Sequence, residues 1–152
     1  MCSYCGCEAE PLITALMDDH AMIADLAYRA LQALDAGDIE TAGSLVAEVA
    51  ERFEAHSLGE EAGLFAEMTA AGEAPVEMAR LVADHRRLRP MLASPGLAAD
   101  ADRLRAALAD LERHAQSEDN DLFPYALQVL PADSWDRINE IATVPARPAA
   151  TY

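Results

Sequence analysis

Four histidines and two glutamates hold most of the chemical information in this sequence. His20, His56, His85 and His114 are all the histidines of the chain, and Glu60 and Glu118 each follow one of them by four residues. Four residues of α-helix advance about 6 Å and pass one full turn by about 40°, so each His-x-x-x-Glu pair points from one face of one helix. Neutral imidazole and ionised carboxylate donors together suit zinc, manganese or iron. Six donors are too many for a tetrahedral zinc site. Shared between two ions, with both glutamates bridging and two histidines terminal on each, they complete a dinuclear centre.

Four long helices must position these donors. Pro11 opens the first segment and Asp35-Ala-Gly37-Asp38 closes it; the second runs from Ile39 to about Ala70, the third from Pro75 to Ala93, and the fourth from Asp100 to about Leu130, with a kink expected at Pro124. Each segment carries a stripe at three- and four-residue spacing, the helical period. The stripes read Ile13, Leu16, His20, Ile23, Ala27, Leu31, Leu34, then Ala42, Val46, Val49, Phe53, His56, Glu60, Leu64. The third and fourth read Met78, Leu81, His85, Leu88, Leu92 and Leu104, Leu108, Leu111, His114, Glu118, Leu122. The expected fold is all-α: an antiparallel up-down-up-down four-helix bundle over residues 11–142, including a short C-terminal helix from Ala132 to Ile141. A tail of residues 1–10 precedes it and a tail of residues 143–152 follows.

The six candidate ligands interrupt otherwise apolar stripes. Glu60 lies ten residues before Ala70 and His85 ten residues after Pro75, so antiparallel neighbours hold them at one height. Burying an ionised carboxylate costs several kcal/mol unless a cation accompanies it. Two carboxylates in the core therefore call for metal ions.

Composition narrows the partners. With 11 basic and 27 acidic residues, the chain of 152 carries a formal charge of −16. Such a surface repels phosphate backbones and anionic leaflets, which excludes nucleic acid and membrane surfaces as partners. No stretch approaches about twenty apolar residues. No Lys or Arg precedes the short run Leu12 to Met17, as a secretory signal requires, so the expected location is the cytoplasm.

The halves of the sequence repeat. Asp19-His20-x-x-Ile23-x-x-Leu26 matches Asp84-His85-x-x-Leu88-x-x-Met91, and His56-x-x-x-Glu60-Glu61-x-x-Leu64-Phe65 matches His114-x-x-x-Glu118-Asp119-x-x-Leu122-Phe123. In the order His20, His56-x-x-x-Glu60, His85, His114-x-x-x-Glu118, over about residues 11 to 130, the chain resembles the hemerythrin-like, or HHE cation-binding, domains. The resemblance implies a bundle holding two non-haem iron ions, bridged by the two carboxylates and a solvent-derived oxygen. It implies reaction with dioxygen, peroxide or nitric oxide, with possible di-iron oxidoreductase activity, or alternatively a non-enzymatic iron- or oxygen-sensing module that signals to a partner. The oxygen carriers of that family have a fifth histidine one turn from another on the third helix. Here the corresponding positions are Leu81 and Arg89, a departure that disfavours simple oxygen carriage and leaves a position open on each iron.

The residues beside the ligands are expected to differ in role. Asp19, Asp84 and Asp119 are read as solvated, since adjacent helical positions diverge by about 100°. Glu61 is the exception, expected to hold an imidazole in place. Tyr28 and Tyr125 are read as packing at the core edge. Cys2, Cys5 and Cys7 lie in the tail, either as an accessory thiol or metal site or as spare thiols of a flexible segment.

Overall fold

The structure, a computed structural model, describes residues 10–142, which are helical with short connections and no strands. α1 spans Pro11–Asp35, α2 Ile39–Ala62, α3 Leu64–Ala70, α4 Pro75–Leu92, α5 Ala101–Ser117, α6 Phe123–Val129 and α7 Ala132–Ala142. A 3₁₀ turn at Leu97–Ala99 precedes α5, and a π-helical turn at Glu118–Leu122 joins α5 to α6. α1 packs on α2 and α5, and α4 packs on the same two helices. The N-termini of α2 and α5 are capped alike: Asp38 accepts the Thr41 amide at 3.0 Å and Asp100 the Arg103 amide at 3.1 Å.

Two expected helices are broken, each for a local reason. The second gives way at Gly63, whose φ of −105° and ψ of −91° leave the helical region. A Cβ there would crowd the Gly59 carbonyl oxygen at 3.3 Å, while its 3.5 Å approach to the Ile138 side chain of α7 would be an ordinary contact. The fourth widens just before Pro124. That residue has no N–H for the carbonyl four positions earlier and its ring crowds that carbonyl, so a π turn takes up the strain, with the Phe123 N–H bonding to the Glu118 carbonyl. The first stripe also differs after Ile23: Leu26 and Ala30 are buried, while Ala27, Leu31 and Leu34 pack at the margin.

The apolar side chains form two clusters. One takes the later half of α1, the earlier half of α2, the later half of α4 and the earlier half of α5, with Leu26, Val49, Phe53, Leu88 and Leu104 among its members. The other takes the earlier halves of α1 and α4 together with α3, α6 and α7, including Ile13, Leu64, Leu81, Phe123 and Ile138. His20, His56, Glu60, His85, His114 and Glu118, carried by α1, α2, α4, α5 and the π turn, lie between the clusters, and all six are buried.

Candidate metal centre

α1 brings His20 inward, α2 brings His56 and Glu60, α4 brings His85, and α5 brings His114, with Glu118 opening the π turn that follows. The six meet in one layer. His20 Nε2 lies 3.1 Å from Glu118 Oε2, and His56 Nε2 3.3 Å from Glu60 Oε1. His114 Nε2 lies 3.0 Å from Glu118 Oε1, and His85 Nε2 sits between the carboxylates at 3.4 Å from Glu60 and 3.5 Å from Glu118. The Nε2 atoms of His85 and His114 are 2.9 Å apart.

The donors sort into two groups of four, each with its ligand atoms within 4.8 Å of one another: His20, His56, Glu60 and Glu118, and His85, His114, Glu60 and Glu118. Both glutamates belong to both groups. Each group could hold one metal ion.

The opposite edge of each imidazole explains its orientation. His20 Nδ1 donates to Asp119 at 2.7 Å, His56 Nδ1 to Asp19 at 3.3 Å, His85 Nδ1 to Glu61 at 2.9 Å and His114 Nδ1 to Asp84 at 3.4 Å. In every case the carboxylate sits beside a ligand in sequence and reaches the histidine of a neighbouring helix. The four bonds run from helix to helix around the bundle and close on themselves. A carboxylate that accepts from Nδ1 fixes the proton there and leaves the Nε2 lone pair facing inward, as in metal-bound histidines.

That tautomer tests whether the residues fit a metal. Bare Nε2 lone pairs and carboxylate oxygens are all acceptors, and they face one another at 2.9 to 3.5 Å. Among the described residues, the buried side-chain atoms without a hydrogen-bond partner are His20 Nε2, His56 Nε2 and all four oxygens of Glu60 and Glu118. Their close contacts lack the directions of hydrogen bonds. Acceptors collected in a buried layer are stabilised only by cations, so the donor set fits metal ions.

Without metal, protons fill that role. Burial pulls the His20 pKa down, but the Asp119 and Glu118 contacts prevail and carry it to about 9. The same contest, with Asp19 and Glu60 prevailing for His56, gives about 10, and for His85 the two glutamates give about 9. Burial raises the pKa of Glu118, yet His114, His20 and His85 hold it well below the usual carboxylate range.

Asp19, Asp84 and Asp119 thus stand corrected. They are not merely solvated, because the 100° step from each ligand points toward the next helix as well as toward water. The signal was present as four ligands each flanked by an acid: Asp19-His20, Glu60-Glu61, Asp84-His85 and Glu118-Asp119. Glu61 holds His85 as expected, and its Oε1 also accepts from Arg89 at 2.9 Å. Arg89 in turn donates to Ser57 at 3.0 Å. The tyrosines are outside the core: Tyr28 is 62% exposed, and Tyr125, 38% exposed, donates its hydroxyl to Glu73 at 2.6 Å. Cys2, Cys5 and Cys7 lie outside the described residues.

Among known families, the model of the hemerythrin HHE cation-binding domain matches residues 12–126. No curated protein and no solved structure matches the chain.

Proposed function

As the chain belongs to the hemerythrin HHE cation-binding domain family, we propose that its buried layer is a dinuclear non-haem iron centre that reacts with dioxygen, peroxide or nitric oxide. His20 and His56 would hold one ion and His85 and His114 the other, with Glu60 and Glu118 available to both. The observation that carries this reading is the sharing of both carboxylates by both four-donor groups. The alternation of late and early helix halves in the first apolar cluster supports the up-down-up-down arrangement of the bundle. Among the described residues no helix is long and apolar enough to cross a membrane. The formal charge of −16 disfavours nucleic-acid partners, and the cytoplasm is the proposed location.

When bound, the two irons supply one electron each and positions open to a small ligand. The chain's own residues do the rest. The four carboxylates on Nδ1 hold the imidazoles at fixed angles, and the apolar clusters above and below exclude bulk water. Leu81 is buried in the second cluster and Arg89 is committed to Glu61 and Ser57, so neither adds a fifth nitrogen. Glu61 is held by His85 and Arg89 rather than turned inward. This favours reaction over reversible oxygen carriage.

Rapid mixing of the iron-loaded, reduced protein with each oxidant tests the proposal. Two irons per chain and oxidation by dioxygen or peroxide are expected. One iron per chain at full occupancy defeats the dinuclear centre, and an oxygen adduct that returns to the ferrous form under vacuum restores oxygen carriage. Stoichiometric binding without turnover, coupled to altered affinity for a partner, points instead to sensing.

A further inference from the structure

A cavity of about 600 Å³ runs between α1 and α5 and reaches the layer of the candidate ligands. Its volume is within the range of about 300–1,000 Å³ usual for small-molecule sites and far exceeds what a diatomic gas needs. Its walls are mostly apolar, with Ala24, Ala27 and Leu31 on α1 facing Leu108, Ala109 and Leu111 on α5. His20, His114 and Phe53 also line it. Buried His20, whose Nε2 lone pair has no hydrogen-bond partner, is among the residues that line the passage.

The shape restricts the occupant. Lining residues extend from Thr14 to Leu31 on α1 and from Arg105 to Asp119 across α5 and the π turn, which at 1.5 Å per residue is a run of about 20–25 Å. Ala24 and Ala109 stand exposed on its two walls, so the groove is open along its length. It admits an extended chain. From His20 to Leu31 and from His114 to Arg105 the walls offer about 14–16 Å of passage. The charged lining residues are Asp18, Glu112, Asp119 and Arg105. Arg105 is already paired with Asp35 and Asp119 with His20, which leaves Asp18 and Glu112 to make the rim acidic and hostile to an anionic head.

We propose that the α1–α5 groove binds a neutral, single-chain amphipathic molecule, with its alkyl chain along Ala24, Ala27 and Leu31 and its oxygen-bearing head at the His20–His114 end. A fatty alcohol, aldehyde or hydroperoxide has this chemistry. Only the identity of what the head meets rests on the metal reading above; the groove itself does not depend on it.

The test is fluorescence of the neutral apolar probe N-phenyl-1-naphthylamine with the full-length protein, displaced by decan-1-ol, decanoate or decylammonium. Decan-1-ol is expected to displace the probe at least about tenfold more effectively than decanoate. Ala24→Trp and Ala109→Trp, at exposed positions on opposite walls, each fill the groove and should weaken probe binding by about tenfold or more, whereas Ala66→Trp on α3 should leave it unchanged. Probe binding that survives both filling substitutions in folded protein overturns the proposal, as does equal displacement by decanoate or tighter displacement by decylammonium. Metal content measured on the same samples separates the two readings: protein that holds no iron yet binds the probe through this groove refutes the iron centre and leaves the groove.

Discussion

Replacing Glu60 by Gln removes an anionic donor from both metal positions while keeping nearly the same shape. Glu60 is 1% exposed, and its two oxygens lie toward His56 at 3.3 Å and His85 at 3.4 Å, histidines of different groups. Each group thus falls from four donors to three anionic-or-neutral ligands plus a weak amide, and the two ions lose one of the charges that screens them from each other. Asp19→Asn makes the contrasting change. Its carboxylate touches only the outer edge of His56, at 3.3 Å, and is half exposed. Loss of such a partner costs about 10- to 100-fold in metal affinity, or about 1.4–2.7 kcal/mol. Glu60→Gln should therefore exceed about 100-fold and empty both positions, whereas Asp19→Asn should weaken binding within that range. Dialysis against graded chelator, followed by iron analysis and circular dichroism to verify the fold, measures both. Equal losses in the two variants, or retention of one tightly held iron in Glu60→Gln, would refute the assignment of Glu60 as a bridge.

Three further outcomes are expected. The metal-free protein should lose stability between about pH 7 and pH 10, because His20, His56 and His85 have pKa values raised above 6.5 to about 9, 10 and 9, so their contribution is complete below the unfolded value and vanishes through the folded ones. Metal competes with those protons and binds more weakly as pH falls, so denaturation midpoints with and without chelator should diverge as pH rises; a flat metal-free profile contradicts this. Deleting residues 1–8 should leave the iron content and absorption unchanged, since all six candidate ligands follow Pro11; loss of iron on truncation would place Cys2, Cys5 or Cys7 in the main centre or its assembly. Ala74→Gly should stabilise the fold by up to about 1 kcal/mol, because Ala74 occupies the left-handed region at φ 44° just before Pro75, and a lowered melting temperature would show that the strain is not released.

The helical architecture and the six inward-facing donors were legible because both are recorded in spacing. Polar residues at His20, His56, Glu60, His85, His114 and Glu118 stand where a 3.6-residue period demands apolar ones, and all six are buried. Less legible were features decided by the neighbouring helix. Gly63 reads as a tolerable helix residue until its backbone is seen to leave the helical region, and Pro124 announces a distortion without saying that a π turn will absorb it. Leu26 and Ala27 are adjacent apolar residues, and the packing partner alone decides that Leu26 turns inward. The same ambiguity concealed Asp19, Asp84 and Asp119. A position 100° from a buried ligand borders both water and the next helix, and only the arrangement of the helices shows an imidazole within reach.

The ring of carboxylate–histidine bonds also has an arithmetic of halves. Asp19 to His56 and Asp84 to His114 are bonds within a repeat, at 3.3 and 3.4 Å, while Glu61 to His85 and Asp119 to His20 cross between repeats, at 2.9 and 2.7 Å. Each repeat thus orients one of its own imidazoles and borrows a carboxylate for the other. Each also contributes one of the two shared glutamates. Neither helical pair is self-sufficient, and the two deficits are identical. A half-length hairpin bearing one copy of this pattern would find everything it lacks in a second copy of itself, so the centre has the logic of a symmetric dimer enclosed in a single chain.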